Sequence, residues 1–155
     1  MEAIHDPGRS SVSWVARLLE VLQPLSLRAD RLAGMGLFAG LGWSDLELVA
    51  DLLNETEVQR GTRMTVQGRP SSSLWLITHG EALVSANARP LRVAGYGDAV
   101  GLASMLPGGG SPDTTIALST MRALAASPDQ FRELVGRSAI RERLTAAVPA
   151  RRRRR

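Results

Sequence analysis

The stretch GYGDAVGLASMLPGGGSPDTT, Gly95 to Thr115, combines closely spaced glycines with Pro, Asp and Ser residues that favour turns. Glycine-rich loops of this kind can direct several backbone N–H groups toward one point, and many proteins hold a phosphate in this way. The stretch nevertheless contains no Lys, Arg or His, and its charged residues are Asp98 and Asp113. The backbone pattern therefore suits an anion, whereas the side chains do not.

The length and composition indicate an ordinary globular protein. A chain of 155 residues is long enough for one domain with a sizeable core. The absence of cysteine excludes disulfides, thiolate nucleophiles and Cys-based zinc sites. No apolar run reaches the roughly 18–20 residues that a membrane span needs, and the N-terminus does not have the pattern of a signal peptide. We therefore expect a cytoplasmic protein without a membrane span.

The net charge of +4 is a property of the C-terminus. All 19 basic residues are Arg, a bias expected of a GC-rich bacterial genome. Five of them form the terminal run, which consists of Arg151, Arg152, Arg153, Arg154 and Arg155. The other 14 are balanced by 15 acidic residues. The run predicts contact with a polyanion, either nucleic acid or anionic lipid. It is equally consistent with a solvated chain end or an engineered addition.

The N-terminal third has the spacing of helices. Residues 12–23, VSWVARLLEVLQ, carry apolar side chains three and four positions apart, whereas residues 26–36 have a mixed pattern. A further helix is predicted from Ser44 to about Asn54. Ser44 and Glu47 have the spacing of a capping box, in which each side chain satisfies a free backbone N–H group.

The central part of the chain alternates apolar and polar residues, which predicts β-strands. Strand patterns lie at Met64–Val66, in SLWLITHGEALVS at 73–85, at Leu91–Val93, and in one or two strands from Thr115 onward. Gly and Pro residues separate these short strands. The combination predicts a mainly β fold, a β-sandwich or jelly roll, with helices at both ends.

One last helix is predicted before Pro149. Ser127 suits its N-cap, Pro128 its first position and Asp129 the positive end of its dipole. The apolar stripe of this closing helix consists of Phe131, Leu134, Val135, Leu144 and Val148.

From Leu37 to about Leu144, the order of these patterns resembles the cyclic-nucleotide-binding domain of catabolite-activator-type regulators and cyclic-nucleotide-gated proteins. The matching segments are LFAGLGWSDLELVADLL, RGTRMTVQGRPSSSLWLITHGEALV, GYGDAVG and SPDQFRELV. The resemblance implies a jelly-roll-like β-roll at residues 34–148, a helical segment at 1–33 and an Arg-rich tail at 149–155. It also implies that GYGDAVG leads into the phosphate-binding cassette of the fold.

In the family that this chain resembles, a Glu directly after the Gly at position 101 accepts the ribose 2′-OH. An Arg about ten residues later contacts the phosphate through a charge-assisted hydrogen bond. Leu102 and Pro112 stand at these positions, and no Arg occurs between Arg92 and Arg122. The predicted vestigial cassette comprises Gly101, Leu102, Ala103, Ser111, Pro112, Asp113 and Thr114.

The residues therefore predict a non-enzymatic regulatory or accessory protein that needs no cofactor, binds nucleotide weakly or not at all, and contacts another protein. Neither His5 nor His79 has the neighbours that catalysis or metal binding requires. One alternative is a receptor that binds cAMP or cGMP through Ser111, Thr114 and backbone N–H groups. The other is polyanion binding through the terminal run, Arg151–Arg155.

The closing helix is the predicted interface. Its residues Leu134, Val135 and Leu144 are the candidates, and the resemblance suggests a homodimer as one form of contact. Related transcription factors carry a helix-turn-helix module after this helix. No recognition helix follows it in the sequence, so we expect no sequence-specific DNA binding.

Deletion of Arg151–Arg155 tests the polyanion alternative. If the run binds RNA or anionic vesicles, its removal should abolish binding that weakens steeply with salt, because each bound Arg releases counterions. Filter binding and vesicle co-sedimentation across a salt titration measure this. Equal binding by the full and shortened chains would exclude the tail as the contact.

Overall fold

The computed structural model describes residues 25–106 and 110–148, apart from the side chains of residues 25–27. The described chain folds into a β-roll with helices before and after it, which confirms the predicted fold class. None of its helices combines the length and apolar character that a bilayer crossing demands.

Two features predicted from the sequence lie outside the described residues. One is the helix at 12–23. The other is the polyanion-binding tail, which consists of Arg151, Arg152, Arg153, Arg154 and Arg155. Both therefore stay predictions, and the tail is tested by the deletion described above.

Within residues 25–53, two helices and a short 3-10 turn precede the sheets. Helix α1 (Leu25–Ala33) occupies most of the segment with the mixed pattern, and the 3-10 turn spans Gly36–Phe38. Helix α2 (Trp43–Leu52) begins one residue earlier than predicted, with Gly42 as its N-cap. The predicted capping box does not form, because Ser44 lies inside the first turn, beyond the position from which a hydroxyl can cap it.

In the described part of the chain, eight antiparallel strands form two four-stranded sheets. They are β1 (Asn54–Val58), β2 (Arg63–Thr65), β3 (Leu74–His79), β4 (Ala82–Ala86), β5 (Arg89–Ala94), β6 (Ala99–Val100), β7 (Thr114–Ala117) and β8 (Met121–Ala126). The first sheet has the order β1-β8-β3-β6 and the second β2-β7-β4-β5. Each sheet joins strands that are distant in sequence, as in a jelly roll.

The buried side chains form two cores. Between the sheets, Ile77 and Met121 of the first sheet pack with Val84 and Ala117 of the second. The other core lies between the first sheet and the helices, where Leu74 and Leu76 pack with helical side chains. Helix α1 belongs to this core, since Ala29 and Leu32 lie in it. Helix α1 therefore packs together with the first sheet and the other described helices.

The closing element is two helices rather than one. Helix α4 (Pro128–Val135) starts as predicted: Ser127 and Gln130 form a reciprocal capping box, and Pro128 takes the first turn. The helix ends at Gly136, and α5 (Ser138–Ala147) follows after Arg137. The Arg137 guanidinium donates to an Asp45 carboxylate oxygen at 3.1 Å, which ties this break to α2.

The predicted interface residues contribute mainly to the chain's own core. Leu134 and Leu144 are fully buried, and Val135 is half-buried against the same core. In this arrangement, Leu134 and Leu144 cannot contact a second chain.

Leu134→Ala is expected to lower the free energy of unfolding by about 2–5 kcal/mol, because it removes buried methyl groups and leaves a cavity. The matched change Leu91→Ala alters a side chain that is 56% exposed and should cost within about 0.5 kcal/mol. Urea unfolding of both variants measures the difference. Equal midpoints would contradict the packing described for the closing helices.

Candidate functional site

The turn that leads into the candidate site is held by Asp98. Its carboxylate Oδ2 accepts a hydrogen bond from the Gly95 N–H at 2.8 Å, and its own N–H donates to the Gly95 carbonyl at 3.0 Å. Gly97 lies in the left-handed region with φ of 83°. Asp98 therefore caps the turn, as the Gly-Asp pattern predicts, and its carboxylate is engaged in that role.

Gly101 fixes the start of the cassette. Its φ is 88°, and a Cβ added there would lie 2.4 Å from the Ser73 carbonyl oxygen and 2.8 Å from Ser71 Oγ. Ser104 strengthens this contact, because its hydroxyl donates to the Gly101 carbonyl at 3.0 Å and accepts from the Ser71 N–H at 3.2 Å. The short helix α3 (Leu102–Met105) follows directly.

The residue after Gly101 faces the core. Leu102 is 6% exposed and packs in the core between the first sheet and the helices, and Ala103 is half-buried against it. In the family pattern this position carries the carboxylate for the ribose. A carboxylate at the end of this buried side chain would lose its hydration without a partner.

The second half of the cassette is bonded to the turn after β2. The Ser111 N–H donates to the Arg69 carbonyl, and the Ser111 carbonyl accepts from the Gly68 N–H, both at 2.8 Å. At Gly110, a Cβ would lie 2.5 Å from the Gly68 carbonyl oxygen. Pro112, at the position of the family's Arg, is exposed. The Ser111 N–H is thus hydrogen-bonded within the protein and cannot donate to a bound anion.

Asp113 is the charged side chain of this half of the site. It is half-buried, and burial raises the pKa of its carboxyl, while the Arg92 guanidinium and the Thr115 hydroxyl oppose that rise. The Thr65 hydroxyl donates to the Asp113 main-chain carbonyl at 3.1 Å. This end of the site therefore carries a carboxylate one residue after Pro112, which stands at the position of the family's Arg.

Arg92, the residue whose positive charge affects the Asp113 carboxyl, is an exposed residue of a different strand, β5. Arg92 lies opposite Val84, and Val84 lies opposite Thr115, in the register of β5, β4 and β7. Directly opposed residues of antiparallel strands point to the same face, so Arg92 shares the inner face with two buried side chains. Arg92 stands two positions before Ala94, which is fully buried, and residues two apart in a strand share a face. This spacing is the sequence signal that could have placed Arg92 on the inner face.

The remaining predicted site residue, Thr114, contacts the segment that follows β2. Its hydroxyl accepts a hydrogen bond from the Gln67 N–H at 2.9 Å, and the Gln67 side chain exchanges two hydrogen bonds with Asn87. The structure thus brings Ser111, Asp113 and Thr114 together and turns Leu102 away into the core. Across residues 25–106 and 110–148, no three His, Asp or Glu side chains meet in a way that could hold a metal.

The family model for the cyclic nucleotide-binding domain matches residues 55–138, which contain the sheets, the cassette and helix α4. The chain belongs to this family. The predicted resemblance is therefore confirmed, and the matched range runs from the first strand through α4. No curated protein matches the chain in sequence.

Solved structures share the fold. The Thermus thermophilus catabolite activator protein is 24% identical, with a TM-score of 0.64 over 76% of this chain and 58% of its own. The regulatory domain of Toxoplasma gondii PKA with cAMP is 16% identical, with a TM-score of 0.68 over 79% of this chain and 48% of its own. A cAMP-binding acyltransferase from Mycobacterium smegmatis is 24% identical, with a TM-score of 0.55 over 77% of this chain and 39% of its own. This chain thus spans between 39% and 58% of these three proteins.

Gly101→Ala is expected to destabilise the domain more than Gly97→Ala. Both glycines have positive φ, so each substitution should cost about 1–2 kcal/mol of backbone strain. A Cβ at position 97 meets nothing within 4 Å, whereas at position 101 it meets the Ser73 backbone and should cost about 1–3 kcal/mol more. Urea unfolding compares the pair, and equal losses would show that Gly101 is not closely packed.

Proposed function

We propose that this chain is a non-enzymatic regulatory or accessory domain that keeps the family's β-roll, binds cAMP and cGMP weakly or not at all, and acts through contacts with another protein. The observation that carries the proposal is the chemistry of the two ligand positions. Leu102 is apolar and buried, and Pro112 offers neither charge nor a hydrogen-bond donor.

The expected loss of affinity is large. An unmatched ribose hydroxyl costs roughly 1–3 kcal/mol, and a missing charged contact to the phosphate costs about 1.5–3 kcal/mol. Together these losses weaken binding on the order of a hundred- to ten-thousand-fold. Asp113 adds repulsion between its carboxylate and the cyclic phosphate, since like charges at close range disfavour each other.

Exposed apolar side chains on the second sheet supply a surface for protein contacts. Leu91 and Val93 on the edge strand β5 are 56% and 50% exposed, and Leu118 after β7 is 45% exposed. Val93 lies opposite Leu83, whose side chain is half-buried on the same outer face. Apolar side chains grouped in this way favour burial against a partner. A homodimer is one such contact.

A second candidate function is the sensing of cAMP or cGMP through Ser111, Thr114 and backbone N–H groups. One observation favours it: the buried Ser111 hydroxyl has no hydrogen-bond partner within the described part of the chain. Against it, the Ser111 N–H is already bonded to Arg69.

Calorimetry with cAMP and cGMP tests the proposal. The natural chain is expected to give no saturable heat below about 1 mM ligand, given the lost contacts. Pro112→Arg adds a guanidinium on an exposed residue and should raise the affinity about ten- to hundred-fold, which corresponds to one charge-assisted contact. Pro128→Arg places the same charge on another exposed Pro, at the start of α4, and is the matched control.

Binding of either cyclic nucleotide to the natural chain at micromolar concentration would contradict the proposal and favour the second candidate. An equal response of both Arg variants would show that the gain is a general effect of charge rather than a contact in the cassette.

A further inference from the structure

Apolar side chains form a patch on the outer face of the second sheet. Val93 lies opposite Leu83, and Leu83 lies opposite Ile116, so the three share one face. The residue after each of them lies in the core between the sheets, which places the three on the outer face. Leu118 follows Ile116 by two positions, and its N–H donates to the Glu81 carbonyl, so it adjoins them. Val93, Leu83, Ile116 and Leu118 are the outer apolar patch.

Positive charge lies at both edges of this face. The strands of the second sheet contain Arg63, Arg89 and Arg92 and no acidic residue. Strands β2 and β5 are the two edges of the sheet, and all three Arg residues are exposed. Arg63 lies opposite Ile116 and is therefore next in line across the sheet. Within residues 25–106 and 110–148, the Arg63 side chain forms no ion pair.

Neither a second copy of the chain nor a lipid surface matches this face well. A second copy would present the same Arg residues, and of the two acids that directly flank these strands, Glu81 is exposed and Asp113 is half-buried. Like charges across an interface disfavour self-association. A bilayer contacts the side chains that protrude most, whereas Leu83 and Ile116 in the middle of the patch are half-buried.

Strand β5 is poorly suited to pairing with a further strand. Pro90 has no N–H group to donate across the edge. The pairing with β4 shifts register between Val84 and Ser85, as at a β-bulge, and Arg89 and Arg92 add charge to the strand. Edges that carry Pro, bulges and charged side chains resist the addition of a strand. A partner therefore covers the face of the sheet rather than extending it.

The hairpin that carries β5 is held in place. Asn87 and Ala88 form its two-residue turn with φ of 52° and 62°. The Gln67 side chain donates to the Asn87 side chain at 3.1 Å and accepts from the Asn87 N–H at 2.8 Å. The outer face is thus preformed, which reduces the entropy that a partner loses on binding.

We infer that the outer apolar patch binds an amphipathic helix of another protein, with Asp or Glu beside its apolar stripe. Sheet faces and helix stripes bury each other in stable layers. Strands lie about 4.8 Å apart and a helix rises about 5.4 Å per turn, so a helix that crosses the strands places one turn over each. Its apolar side chains then contact Val93, Leu83 and Ile116, and an acid one turn further pairs with Arg63. This inference rests on the proposed function and names the chemistry of the partner.

The test uses two synthetic helical peptides of about 18 residues with the same Leu stripe. One carries Glu beside the stripe and at both of its ends, and the other carries Lys at the same positions. Calorimetry with the full chain at low salt is expected to show that the Glu peptide binds about tenfold or more tightly, because several exposed charge pairs each contribute a small factor. The ratio should fall as salt rises, since exposed charges are screened.

Arg63→Glu reverses the charge at one end of the line of contacts. It should weaken binding of the Glu peptide about two- to tenfold and strengthen binding of the Lys peptide. Arg132→Glu makes the same change in net charge on the exposed surface of α4 and is the matched control. The control should leave the ratio of the two affinities within about twofold of its original value, because distant exposed charges are screened.

Val93→Ser tests the apolar contact. It should weaken binding of both peptides about three- to tenfold, because the rest of the side chain is no longer buried by the partner. Trp43→Ser alters a similarly exposed apolar residue, 48% against 50%, at the start of α2, and should weaken binding of neither peptide.

Four results would overturn the inference. The first is the absence of saturable binding of the Glu peptide up to about 1 mM, or equal binding of the two peptides. The second is a self-association of the chain alone in analytical ultracentrifugation that Val93→Ser abolishes, which would assign the patch to a second copy. The third is binding to vesicles of phosphatidylglycerol and phosphatidylcholine that Val93→Ser weakens. The fourth is a melting temperature that Val93→Ser lowers without any peptide binding, which would assign the patch to residues 1–24 of the same chain.

Each of these results leaves the weak nucleotide binding of the proposed function standing. That part of the proposal fails only if cAMP or cGMP binds the natural chain at micromolar concentration, whatever the peptides do.

Discussion

The close approach of backbone to backbone at both ends of the cassette determines how this site is built. A Cβ at Gly101 would lie 2.4 Å from the Ser73 carbonyl oxygen, and one at Gly110 would lie 2.5 Å from the Gly68 carbonyl oxygen. Each position is therefore closed to any residue with a side chain unless the neighbouring backbone shifts. The cassette is held against the segment from Gly68 to Ser73 by main-chain packing and hydrogen bonds, and neither depends on a ligand.

Glycines and main-chain hydrogen bonds set the backbone shape of the cassette, whereas its other side chains set which chemical groups it can bind. Because glycines and main-chain groups fix the loop, its charged side chains can change without loss of the fold. Leu102 illustrates the point, since the residue after Gly101 has become part of the core while φ at Gly101 stays left-handed. An apolar side chain at this position stabilises the domain by burial, and a carboxylate at the same place would lack a partner.

Local patterns predicted the elements of the fold better than its contacts. The glycine turns, the alternation of β3 and β4, and the Ser127 cap were all apparent from neighbouring residues. The break at Gly136 was missed, because the apolar stripe continues across it. Strand β1 was missed for a different reason: most of its side chains are exposed and polar, so it has little apolar alternation. The Ser44 capping box failed because a one-residue shift in helix start changes which side chain can cap.

The composition of the site was predictable only in part, because charges that meet across strands are distant in sequence. The absence of Arg from the cassette is visible in the sequence, but the electrostatic effect of Arg92 on Asp113 depends on the pairing of β5, β4 and β7. Loss of a guanidinium alone would leave a neutral, weakened anion site. In this chain the half-buried Asp113 adds a carboxylate to that end of the site, and Arg92 opposes the rise that burial causes in the pKa of this carboxyl. The cassette thus departs from the family pattern in two ways, by the absence of an Arg and by the presence of the Asp113 carboxylate.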